Sequence, residues 1–194
     1  YKLDCLTVGD RVLARNIHLR IRGPEKICII GKNGAGKTTL LKKIAKGLLE
    51  RKDLHAAYMP QNYSELLPAE ETPLAFLQTA GDKEELTRIR TWLGSMKFTA
   101  DEMEHPIREL SGGQKAKLFF MKMSLEENDV LILDEPTRNF SPMSNPVIRQ
   151  LLADYQGAIL SISHDRKFIE EVCTKVYRLT GDGLQEVEKE KLTE

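Results

Sequence analysis

The sequence predicts an α/β fold, a mostly parallel sheet covered by helices, and three observations carry that prediction. Unbroken apolar runs at residues 27–30 and 130–133, and the largely apolar stretch 159–163, read as short strands buried on both faces. Stretches with apolar residues at helical spacing stand between them, and an alternation of strand and helix lays the strands parallel. No internal repeat or low-complexity tract interrupts this order.

Taken in order, residues 16–22 alternate Ile17, Leu19 and Ile21 against His18, Arg20 and Arg22, the pattern of a half-buried strand. The run Ile27 to Ile30 follows, then a Gly-rich loop. A helix comes next, with Leu40, Leu41 and Ile44 on one face. Residues 48–60 hold a turn and a strand over Ala56-Ala57-Tyr58-Met59. From Asn62 to Glu109 the pattern is helical, broken by Pro68, Pro73 and Pro106, with a helix expected from Glu84 to Leu93. The chain ends on a hairpin, with residues 176–179 and 184–187 flanking Gly181-Asp182-Gly183.

Composition sets limits on function. The 194 residues carry 29 basic and 29 acidic side chains, so net charge gives no pull toward nucleic acid or acidic membranes. No apolar run approaches the roughly 20 residues of a spanning helix. Cys5, Cys28 and Cys173 are far apart and odd in number, with no metal-binding spacing, which suits thiols in a reducing, cytoplasmic setting. The chain starts at Tyr1 without a signal-like segment and reads as a piece excised from a longer protein.

The Gly-rich loop is the first site. Gly31-Lys32-Asn33-Gly34-Ala35-Gly36-Lys37-Thr38 fits G-x-x-x-x-G-K-[ST] and stands between a buried strand and a helix, as that motif requires. Its glycines let the backbone wrap phosphate, its N–H groups point inward, and the helix N-terminus adds a positive pole. Lys37 then neutralises the β- and γ-phosphates, and Thr38 ligates Mg²⁺. The nucleotide-binding set is Gly31, Asn33, Gly34, Ala35, Gly36, Lys37, Thr38 and Thr39. The second site is the apolar run 130–133 ending in Asp134-Glu135. Alone, paired acids at a strand end read as a solvated turn. Downstream of a phosphate loop they supply a metal carboxylate, Asp134, and a general base, Glu135.

The third motif is Leu110-Ser111-Gly112-Gly113-Gln114, ahead of a helix through Leu118, Met121 and Leu125. Ser111 and Gln114 stand at capping-box spacing, so the plain reading is a helix start. Between a phosphate loop and an Asp-Glu strand end, the pentapeptide resembles the signature of ATP-binding cassette proteins, and the resemblance spans nearly the whole chain. It implies a P-loop NTPase core (1–61 and 111–194) with a mostly parallel sheet, a reduced antiparallel β part and a helical subdomain (62–110). It implies an ATPase that binds ATP and Mg²⁺ and works only with a second cassette. That partner's signature, through residues matching Ser111, Gly113 and Gln114, faces the γ-phosphate. By the same resemblance Gln61 is the glutamine that senses metal and water, joining Thr38 and Asp134 in the metal set. His164 is the switch histidine, so Glu135, His164 and Gln61 form the catalytic set.

Two positions depart from the family pattern. The aromatic residue that stacks on adenine is matched by Val8, with Tyr1 as the aromatic alternative within this chain. The loop Thr137-Arg138-Asn139-Phe140-Ser141-Pro142 lacks the usual Leu-Asp pair. Within the family, Ser163-His164-Asp165-Arg166-Lys167-Phe168 is similar to the F class, twin-cassette proteins that act on ribosomes. The short span from Lys37 to Gln61 points the same way, and the missing start suits a second cassette. Gln114 stands where that class more often has Glu. The alternative is the motor subunit of a membrane transporter, paired with a transmembrane partner and not itself inserted.

Overall fold

The computed structural model describes residues 1–138 and 145–189. Among these residues eight strands and seven α-helices follow in order: β1 (Lys2–Val8), β2 (Arg11–His18), β3 (Lys26–Ile30), α1 (Lys37–Leu49), β4 (Ala56–Met59), α2 (Pro73–Leu77), α3 (Lys83–Ser95), α4 (Ala100–Glu104), α5 (Gly112–Leu125), β5 (Val130–Asp134), α6 (Asn145–Asp154), β6 (Ala158–Ile162), α7 (Arg166–Val172), β7 (Lys175–Thr180) and β8 (Gly183–Val187). They divide into two compact units. One comprises Tyr1–Gln61, Asn128–Arg138 and Arg149–Glu194, and the other is built on Asn62–Glu127.

The first unit holds a six-stranded sheet in the order β4-β5-β6-β3-β7-β8. All neighbours are parallel except the terminal hairpin of β7 and β8. Ile27 pairs with Leu160 and Ile29 with Ile162, and both strands are mostly apolar and almost wholly buried. Leu40, Leu41 and Ile44 of α1 pack on Ile29, Ile132 and Leu160 in one core. Such residues cost roughly 2–5 kcal/mol when truncated to alanine. Cys28 and Cys173 are buried free thiols, as small hydrophobes would be. The neighbouring Cys28 thiol and burial together push the Cys173 thiol well above its ordinary range.

A separate antiparallel hairpin, β1 with β2, joins this core through Leu6, Ala14 and Ile17. It corrects the sequence reading of one strand over 16–22. The strand begins at Arg11 and stops at His18, and a partner over Lys2–Val8 was not foreseen. Asn16 takes a left-handed backbone, φ 51°, inside that stretch. Leu19 N still bonds Tyr1 O at 2.9 Å, which keeps the apolar alternation going beyond the strand itself.

The second unit is helical and its caps are spelled by the sequence. Thr72 caps α2 with Pro73 in the first turn, so Pro73 starts a helix where it was read as breaking one. Asp82 caps α3, and Thr99 with Glu102 forms a capping box on α4. Glu85 accepts from Thr79 N (2.9 Å), Thr79 Oγ1 (2.6 Å), Ala80 N (2.9 Å) and Gly81 N (2.7 Å). These bonds, the Thr79 hydroxyl first, lower its pKa to about 2. Helix α5 belongs here as well, with Tyr63 Oη donating to Gly112 O at 3.0 Å and its ring 5.7 Å from that of Phe119. By their contacts, residues 111–127 group with the helical unit. Among the described residues no helix is long and apolar enough to cross a membrane.

Candidate functional site

The phosphate loop leaves β3 at Ile30 and enters α1 at Lys37. Two of its glycines are dictated by space. At Gly31, φ 152°, an added Cβ would stand 3.0 Å from Leu179 O. At Gly36, φ 96°, it would stand 2.7 Å from Leu13 Cδ1 and 3.1 Å from Leu6 Cδ2. Gly36 also opens α1 without any side-chain cap, and the first turn holds no acid. The first N–H groups of a 13-residue helix are thus left for an external anion.

Lys37 is 8% exposed, and its Nζ donates to Gly31 O at 2.8 Å and Lys32 O at 3.1 Å. Burial lowers its pKa, and the nearby Glu135 and Asp134 work against that shift. A buried ammonium held only by loop carbonyls gains most from an added anion.

Asp134 ends β5 at 2% exposure, and its Oδ2 has no hydrogen-bond partner among the described residues. Burial raises its pKa, opposed by a hydrogen bond from the Thr38 side chain and by the charges of Lys42, Lys37 and Arg138. An orphaned carboxylate oxygen beside a threonine hydroxyl is an all-oxygen donor set that suits a hard divalent cation such as Mg²⁺. Glu135 follows with φ 52°, a left-handed backbone held by its N–H to Ile162 O at 2.9 Å. That conformation costs a non-glycine residue about 1 kcal/mol or more and is common where a side chain must be aimed. Its Oε2 accepts from His164 N at 3.3 Å, and its Oε1 lies 3.4 Å from His164 Nε2. Burial raises the Glu135 pKa, with His164 the main counterweight.

One cavity of about 720 Å³ gathers Asn33, Gly34, Gly36, Lys37, Thr38, Thr39, Gln61, Asp134, Glu135 and His164. Gly31 and Ala35 line a neighbouring cavity that shares Asn33 and Gly34 with the first. Ser111, Gly113 and Gln114 begin α5 in the other unit. There the capping box is complete: Gln114 N to Ser111 Oγ is 3.3 Å and Ser111 N to Gln114 Oε1 is 2.9 Å. The loop from Thr137 to Pro142 falls, from Asn139 onward, outside the described residues. Val8, 52% exposed, does line the first cavity, as the family pattern places it. Tyr1 is not among the residues that line it. It precedes the seven-residue β1, so roughly 23 Å of strand separates it from the hairpin end. Sequence reasoning missed Arg11, Leu13, Arg138 and Ile162 in this cavity.

Against known proteins, the profile of the ABC transporter family matches residues 14–138, from β2 through the Asp-Glu strand end. The chain belongs to that family. This cassette is 34% identical over 185 residues to ABC transporter F family member 5 of Arabidopsis thaliana, covering 91% of this chain and 27% of that protein. It is 34% identical over 183 residues to the ribosome protection protein VmlR of Bacillus subtilis, covering 91% of this chain and 33% of that protein. It thus spans about a quarter to a third of the length of these relatives. A solved ATP-binding cassette, described as a dimer in a post-hydrolysis state with ADP and Pi, superposes with a TM-score of 0.76 over 97% of both chains at 18% identity, which establishes the shared fold.

Proposed function

We propose that this cassette binds and hydrolyses Mg-ATP as one half of a two-cassette engine of the F class, acting on the ribosome in its full-length parent. The observation that carries the reading is the single cavity shared by Lys37, Thr38, Asp134, Glu135 and His164. Lys37 and the uncapped N-terminus of α1 hold the polyphosphate, assisted by Asn33, Gly34, Ala35, Gly36 and Thr39. Thr38, Asp134 and Gln61 would hold Mg²⁺, which when bound neutralises charge on the β- and γ-phosphates. Glu135, its pKa raised by burial, takes a proton from water as that water's oxygen bonds to the γ-phosphorus and the bond to ADP breaks. His164 fixes the Glu135 carboxylate through its backbone N–H and faces the same water.

Ser111, Gly113 and Gln114 are assigned to the partner's nucleotide, supplied in trans by a second cassette. The helical unit is then the part that presents the signature, and the sheet unit the part that holds the phosphates. The F-class branch is favoured by the relatives at 34% identity, one of them named as a ribosome protection protein.

The test is phosphate release from this chain over a wide protein concentration range, with Lys37→Ala as the inactive control. Specific activity should rise with concentration as pairs form. A constant specific activity from a monomer removes the partner requirement, and release unchanged in Lys37→Ala removes the ATPase reading altogether. Co-sedimentation of the full-length parent with ribosomes in the presence of ATP tests the ribosomal assignment, and its absence would favour another partner.

A further inference from the structure

Among the described residues no aromatic ring lines the cavity beside the phosphate loop, and from the β1–β2 hairpin it is lined by Val8, Arg11 and Leu13. We propose that Arg11 is the base-reading residue of this cassette, its guanidinium plane stacking on the purine, and this rests on the nucleotide-binding reading above. Three observations carry the assignment.

The first is register. Val8 and Arg11 are direct cross-strand partners that close the β1–β2 hairpin over Gly9-Asp10, and both line the cavity with Asn33, Gly34 and Lys37. The second is anchorage. Leu13, two residues on from Arg11, is the unpaired bulge residue between Val12 and Ala14, and it lines the same cavity. Leu13 packs so closely on the phosphate loop that a Cβ on Gly36 would meet its Cδ1 at 2.7 Å. Arg11 thus stands two residues along the chain from a side chain that touches the loop, and both line the same cavity.

The third is charge. Among the described residues Arg11 makes no ion pair or side-chain hydrogen bond. The cavity's two carboxylates are answered by other groups. Asp134 answers to Lys42, Lys37 and Arg138, and Glu135 to His164 and Lys37. On its far side Arg11 borders the neighbouring cavity, where Lys32, Arg166 and Arg178 stand and no carboxylate lines the wall. No acid claims the guanidinium, which leaves its planar face for a ligand.

A guanidinium does what an aromatic ring does at such a position. It is planar, delocalised and weakly hydrated, and it stacks on π faces in a way a lysine ammonium cannot match. Val8 supplies an apolar edge beside it. A stacked face accepts either purine, because both present a π face of similar size. This cassette should therefore bind ATP and GTP within about tenfold of each other.

The experiment compares Mg-ATP, Mg-GTP and inorganic tripolyphosphate on the same chain by calorimetric titration. Arg11→Ala and Arg11→Lys should each weaken both nucleotides about five- to tenfold. Both should leave tripolyphosphate within twofold. Val8→Tyr placed on Arg11→Ala should restore nucleotide affinity by supplying a ring at the same hairpin end. Arg11 is exposed at a strand end, and an unchanged melting temperature confirms that the variants fold. If Arg11→Ala weakens tripolyphosphate as much as the nucleotides, Arg11 is a phosphate charge and the proposal fails. If Arg11→Ala leaves nucleotide affinity intact, or Arg11→Lys keeps it, stacking is refuted. If the unmodified chain binds tripolyphosphate and nucleotides equally, nothing reads the base and the proposal fails while the phosphate site stands. If it binds none of the three, the nucleotide-binding reading falls and takes this one with it.

Discussion

Glu135→Gln exchanges one carboxylate oxygen for an amide and leaves the rest of the site in place. The amide oxygen can accept the His164 N–H now at 3.3 Å from Oε2, and the amide N–H₂ can face His164 Nε2, now 3.4 Å from Oε1. The left-handed backbone at φ 52° treats both residues alike. The charge removed is one that burial disfavours, since the Glu135 pKa stands above its ordinary value. For such an acid the ionised form weighs against the fold above the raised pKa, and that penalty vanishes below the unfolded value. At pH 7 the ligand-free variant should melt at or above the unmodified cassette, by about 2–4 °C for each kcal/mol relieved. That advantage should shrink as pH falls toward the ordinary glutamate range. Turnover should move the other way and far more. A positioned base contributes roughly 10²–10⁴-fold, or about 2.7–5.4 kcal/mol of barrier. The assay is single-turnover phosphate release from the full-length parent, read beside ATP retention and a thermal melt. A variant that binds ATP, melts normally and releases phosphate at the unmodified rate would refute the assignment of Glu135 as base.

Two further substitutions test the frame around the site. Gly36→Ala should lower the melting temperature, by about 1–3 kcal/mol of stability, and weaken ATP binding: its backbone is left-handed and its Cβ would strike Leu13. A neutral melt with normal ATP affinity would mean the hairpin does not rest on the loop. Glu85→Gln should lower the melting temperature at pH 7 by weakening the bonds to Thr79, Ala80 and Gly81. A depressed folded pKa gives stability that is full above the unfolded value and lost as pH falls through about 2, so this difference should narrow between pH 4.5 and pH 2. A gap that does not change with pH would show that the carboxylate charge is not what orders that turn.

What the sequence made legible divides by range along the chain. The parallel strands β3, β5 and β6 are apolar runs whose burial on both faces is written in the residues themselves, and Lys37, Thr38, Asp134 and Glu135 stand at their ends or just beyond. The capping pair Ser111 and Gln114 acts within one helical turn, so local spacing suffices, and Thr72, Asp82 and Thr99, not foreseen from the sequence, cap by the same short-range bonds. The β1–β2 hairpin is different. Its register shifts between Leu6 and Thr7, and most of its side chains are exposed, so no clean alternation marks it. Pro73 misled for a related reason: a proline ends one element and starts another with the same fixed φ, and only Thr72 before it decides which. Helix α5 buries Ala116, Lys117, Leu118, Phe120, Met121 and Met123 around most of its circumference, so periodicity could not say which unit it joins. Arg11 illustrates the limit most sharply. Its neighbours Gly9, Asp10 and Val12 carry no motif, and its place beside the phosphate loop exists only because Leu6 and Leu13 close on Gly36, more than twenty residues away along the chain. Lys37 can be found by counting residues within a motif; Arg11 is found only by following Leu13 onto Gly36.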